Sequence, residues 1–97
     1  MLPNIQNQIS DEKLITEAIS GNKKSLETLV KRYQDYIYNI SLKLFLNPDD
    51  ALDATQEVLI KVVTRLKTFK GESKFQTWLY RIAVNHFLNA SESKTEK

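Results

Sequence analysis

Apolar residues recur at three- and four-residue steps along most of this chain, the spacing that gathers them on one face of an α-helix. Residues 1–10 lack that period; they are polar with scattered isoleucines and read as a flexible leader. A first helix is expected from Ser10 or Asp11 to just before Gly21, with Leu14, Ile15, Ala18 and Ile19 on its apolar side. A second, longer helix follows a cap at Asn22 or Ser25 and carries Leu26, Leu29, Val30, Tyr33, Ile37, Ile40 and Leu44 in register. It should stop at Asn47, because Pro48 disfavours the helical conformation in the residue before it. Tyr36, Tyr38, Leu42, Phe45 and Leu46 widen its apolar surface, as expected of a central helix packed by several neighbours.

The third helix opens with Pro48 in its first turn, where a missing amide proton costs nothing, and reads on to about Thr68. Asp49 and Asp50 favour the positive end of its dipole. Ala51, Ala54, Val58, Val62 and Leu66 form its core side, and Asp49, Asp53, Gln56 and Ile60 the opposite side. Residues 69–73 read as a loop, and Ser73 with Gln76 three residues later is a capping-box signature for a fourth helix. Phe75, Leu79, Ile82 and His86 share one face of that helix; Thr77, Arg81, Val84, Asn85 and Leu88 lie on another. After Asn89 the period is lost. The expected architecture is all-α, a compact bundle of about four helices over residues 11–90, with residues 91–97 a linker toward a further domain.

Composition removes several functions. With no cysteine and one histidine, neither a disulfide framework nor a thiolate metal site is available. No phosphate-cradling glycine loop occurs, and no nucleophile–base pair can be assembled from adjacent positions. The chain is therefore read as non-enzymatic, without metal or cofactor. Its apolar runs are far shorter than the ~20 residues that cross a bilayer, so no membrane partner and a cytoplasmic setting are expected.

The net charge is only +2, but it is unevenly spread. Residues 48–57 hold four acids and no base, whereas residues 61–81 hold six bases against Glu72 alone. Two surfaces of opposite sign point to two partners.

Two segments carry a resemblance. Residues 50–58, Asp-Ala-Leu-Asp-Ala-Thr-Gln-Glu-Val, are similar to the Asp-Ala-x-Asp-x-x-Gln-Glu-Val/Ile stretch in region 2 of bacterial extracytoplasmic-function (ECF) sigma factors. Residues 69–85, from Phe69-Lys70-Gly71-Glu72-Ser73 through Thr77-Trp78-Leu79 to Ile82-Ala83-Val84-Asn85, resemble that family's Phe-x-Gly-Glu-Ser-x-Phe-x-Thr-Trp-Leu-x-x-Ile-Ala-x-Asn signature. The likeness implies a domain that joins RNA polymerase to promoter DNA and melts the minus-ten element. It puts Asp53, Gln56 and Glu57 against the coiled coil of the polymerase beta-prime subunit, and the non-core face that also carries Asp49 and Ile60 agrees with that contact independently. It puts Phe69, Lys70, Gly71, Glu72 and Ser73 around an extruded base of the non-template single strand, with Thr77, Arg81 and Asn85 facing the strand. Lys67, Lys70, Lys74 and Arg81 supply cations for phosphates, and Gly71 lets the loop backbone approach closely. An anti-sigma factor is a further partner that the resemblance implies.

The chain departs from that pattern after Asn85, where His86-Phe87-Leu88-Asn89 replaces the basic residues common in the family. Trp78 is assigned to the core rather than to DNA, since a large aromatic at helical spacing usually packs. His86 is read as a packed imidazole, and Tyr33, Tyr36 and Tyr38 as structural. The alternative function is a helical, protein-only adaptor or sigma-like regulator without promoter recognition; it would use the acidic face but needs no base pocket.

Overall fold

Among the described residues, three of the four helices begin at a side chain that takes up a free backbone amide. The Ser10 hydroxyl accepts from the Lys13 amide at the head of α1 (Asp11–Ile19), and Asn22 accepts from the Ser25 amide at the head of α2 (Lys23–Phe45). Asn47 accepts from both the Asp49 and Asp50 amides at the head of α3 (Pro48–Arg65). The chain then tightens into a 3-10 turn, Leu66–Thr68, and after a loop enters α4 (Phe75–Glu96). The structure, a computed structural model, describes the backbone of residues 9–96 and the side chains of residues 9–90. Among the described residues every regular element is helical, as the sequence pattern predicts.

α2 packs against each of the other three helices, and α3 closes against α4. The core takes Leu14 and Ile15 from α1, Leu29 and Ile37 from α2, and Ala54, Val58 and Val62 from α3. Leu66 follows from the 3-10 turn, and Phe75, Leu79, Ala83 and Phe87 complete it from α4. Phe87 is wholly buried and meets Phe45 edge-on at 5.9 Å, although the sequence pattern did not select it for the core. A polar tie also lies inside. The hydroxyls of Ser41 on α2 and Thr55 on α3 both donate to the Ala51 carbonyl, at 3.0 and 2.7 Å, which binds the two helices near their junction.

Four local expectations are corrected. α2 ends at Phe45 rather than Asn47, and Leu46 adopts a left-handed conformation (φ 60°). Asn47 is held extended by Pro48 (φ −129°, ψ 118°), so the reversal falls on the residue before it. Ser73 forms no capping box; its hydroxyl donates to the Lys74 carbonyl at 3.2 Å. The last residues read as part of the third helix, 66–68, form the separate 3-10 turn. Finally, α4 runs on to Glu96, past Asn89 where the apolar period fails, since local backbone hydrogen bonding continues without an apolar face to bury. The expected leader at residues 1–8 lies outside the described residues, as do the side chains of residues 91–97.

Candidate nucleic-acid interface

Residues 69–74 carry the chain from the 3-10 turn into α4 and set the geometry of the site. Phe69 is extended, and its amide donates to the Leu66 carbonyl at 3.1 Å. Gly71 has φ +76°, with no atom within 4 Å of where a β-carbon would stand. Its backbone conformation, rather than crowding within the fold, is what favours glycine there.

The Phe69 ring is pinned by two others, lying 5.5 Å from Phe75 and 5.2 Å from Trp78, and Phe75 and Trp78 are 5.6 Å apart. Phe75 is buried in the core, while Phe69 and Trp78 are half-buried and keep part of their surface outward. That outward surface belongs to a cavity of about 210 Å³ lined by Phe69, Trp78, Thr68, Lys70, Glu72, Ser73 and Arg81. An apolar cavity of about 150 Å³ is enough to hold a benzene ring, so this one has room for a planar heterocycle. Its walls are aromatic, Glu72, Ser73 and Thr68 offer hydrogen-bonding groups, and Lys70 and Arg81 place two cations on the lining.

Of the residues expected at DNA, the cavity brings together Phe69, Lys70, Glu72, Ser73 and Arg81. Lys74 and Thr77 instead line a neighbouring groove. Lys67, Gly71 and Asn85 are exposed but line neither space. Asn85 stands one turn beyond Arg81 on α4, so Lys74, Trp78, Arg81 and Asn85 form one stripe at three- and four-residue steps. Sequence reasoning missed Thr68 and Trp78. The stripe spacing was a usable signal for Trp78, whose ring serves the core with one side and the cavity with the other.

The second expected surface is the outer side of α3. Asp49, Asp53 and Gln56 are exposed, and Ile60 is 63% exposed. Leu52 and Val63, which were not predicted there, are exposed as well, and with Gln56 and Ile60 they follow a four-, four- and three-residue spacing, a largely apolar stripe beside the acids. Glu57 differs from its neighbours. Its carboxylate lies 2.9 Å from Nε2 of His86 on α4, so one expected protein contact is already engaged within the fold. His86 is half-buried beside Phe87, in line with a packed imidazole.

Among the described residues, no group of three or more His, Cys, Asp or Glu side chains is placed to hold a metal ion. Nor is any helix long and apolar enough to cross a membrane.

The sigma-70 region 2 family model matches residues 29–96. An ECF RNA polymerase sigma-E factor of Haemophilus influenzae is 41% identical over 78 residues, covering 80% of this chain and 41% of the relative. The RNA polymerase sigma-H factor of Pseudomonas aeruginosa is 37% identical over 78 residues, 80% of this chain and 40% of that one. The ECF RNA polymerase sigma-E factor of Escherichia coli is 37% identical over 81 residues, 84% and 42% respectively. The chain thus spans about two fifths of the length of these curated relatives. Among solved structures, an engineered region 2 of sigmaE in complex with GTAAAA superposes with a TM-score of 0.82 at 34% identity, covering 91% of this chain and 92% of that one.

Proposed function

The chain belongs to the sigma-70 region 2 family, as a domain of the ECF sigma-factor type, and from that premise we propose that it docks on RNA polymerase and captures an unstacked base of the minus-ten promoter element. The observation that carries the reading is the cavity between Phe69 and Trp78 with Lys70 and Arg81 on its lining.

Extruding a base from a duplex costs a few kcal/mol. A stacking surface returns about 1–3 kcal/mol per base, and cations on the lining add phosphate attraction that weakens with salt. The rings need no rearrangement to receive a base, because Phe75 and the core hold them in place. The result is a trap that favours the single strand over the duplex and makes or breaks no covalent bond. GTAAAA, the strand bound by the structural relative, is the natural first ligand.

For the polymerase, the proposed contact is the α3 surface of Asp49, Asp53, Gln56 and Ile60, extended by Leu52 and Val63 and directed at the beta-prime coiled coil. Charge gives such a contact its orientation, and the apolar stripe gives it buried area. An anti-sigma factor covering these surfaces would block both partners. A protein-only adaptor would use the same α3 face, but it leaves the aromatic cavity without a purpose.

The test is binding of the chain to labelled single-stranded DNA carrying GTAAAA, against its duplex, across a salt series. Single-strand binding that exceeds duplex binding and weakens with salt supports the reading. No binding at low salt would reject it and favour the adaptor.

A further inference from the structure

Resting on the reading above, we propose that the groove between α2 and the first turns of α4 is a second nucleotide site, taking a base of the same strand next to the one held at Phe69 and Trp78. The groove has a volume of about 450 Å³, more than twice that of the first cavity. It is lined by Tyr36 from α2, by Lys74 just before α4, and by Gln76, Thr77 and Tyr80 from the first turns of α4.

Three features fit a nucleotide. Tyr80 is 46% exposed and takes no part in the core, so its ring is free to stack. Lys74 provides a cation, and Gln76 and Thr77 provide hydrogen-bonding groups, while among the described residues no carboxylate lines the groove to repel a phosphate.

The third feature is continuity with the first cavity. Ring contacts with centroids 5.2–6.1 Å apart run from Phe69 through Trp78, Phe75 and Tyr33 to Tyr36, the first two tilted and the last two edge-on. One continuous run of rings therefore reaches from the first cavity to the second. Thr77 and Trp78 are consecutive on α4, each on a different side of the shared wall. Since a helix with its side chains is only ~10 Å across, a strand leaving one cavity meets the other within neighbouring nucleotides.

The test uses the 97-residue chain and single-stranded DNA carrying GTAAAA, with 2-aminopurine replacing each adenine in turn. Two positions are expected to change fluorescence on binding. Tyr80→Ala should remove the change at one position and weaken binding about ten-fold, and Tyr80→Phe should restore both. An abasic site at that position should weaken wild-type binding by the same factor and leave Tyr80→Ala unaffected. A single responsive position, or two that survive Tyr80→Ala with unaltered affinity, overturns the second site and leaves the first standing. Failure of the wild-type chain to bind the strand overturns the reading on which both sites rest.

Discussion

Nε2 of His86 on α4 lies 2.9 Å from the Glu57 carboxylate on α3, joining the helix of the proposed DNA surface to the helix of the proposed polymerase surface. The Glu57 side chain is 61% exposed and that of His86 only 15%, so the two partners should respond differently to substitution. Glu57→Gln is expected to cost less than ~1 kcal/mol, since water screens the pair. His86→Ala should cost more, because it also removes a ring packed beside Phe87. Chemical denaturation of both variants checks the order.

Polymerase binding should depend on the outer side of α3 without affecting stability. Asp53→Ala combined with Ile60→Ala is expected to weaken association with the beta-prime coiled coil at least ten-fold. These exposed positions should shift stability by no more than ~0.5 kcal/mol. Unchanged affinity in a direct binding measurement would remove this face from the proposal.

At Gly71 the backbone has φ +76° and open space where a side chain would go. Gly71→Ala should therefore destabilise the loop by about 1–2 kcal/mol through its conformation alone. Gly71→Asn should cost less, since asparagine tolerates this region better. If the two variants melt alike, conformation is not what selects glycine there.

Arg81 lines the cavity proposed to take a base, and its removal should change how binding responds to salt. Arg81→Ala is expected to reduce the slope of log affinity against log salt by about one if the guanidinium meets a phosphate. Gln76→Ala, which leaves the charge and the first cavity untouched, should leave that slope unaltered.

The amino-terminal end of α1 is anchored by charge. Arg32 donates to the Asp11 carboxylate at 3.0 Å and to the Ile9 carbonyl at 2.7 Å, and the Tyr33 hydroxyl also donates to Asp11. Burial first, and then the Asp11 hydrogen bond, hold the Tyr33 hydroxyl well above its ordinary ionisation range. The raised value favours the neutral hydroxyl in the folded state. Its stabilisation is thus fully present below the unfolded value of ~10 and is lost as pH rises through the folded value. Asp11→Ala should cost about 1.5–3 kcal/mol and lower Tyr33 ionisation in an ultraviolet titration, while burial still holds it above the ordinary value.

The sequence by itself determined the four helices, most of their starts and the two charged surfaces, because these follow from periodicity and capping chemistry acting within a few residues. Asn22 and Pro48 mark helix starts wherever the rest of the chain goes. The paired motifs at residues 50–58 and 69–85 likewise carried the family and the candidate residues. Only the tertiary structure decided which of those residues share a space. Trp78 reads as core from its spacing, yet its ring also walls the cavity, because that depends on where Phe69 returns after the loop. Glu57 reads as a free contact until α4 brings His86 to it, and Tyr36 faces a groove only because α4 starts opposite it. Ser41 looks like an ordinary polar break in α2, but the α2–α3 packing turns it into a buried tie to the Ala51 carbonyl. Each of these rests on contacts between residues distant in sequence, which no local period encodes.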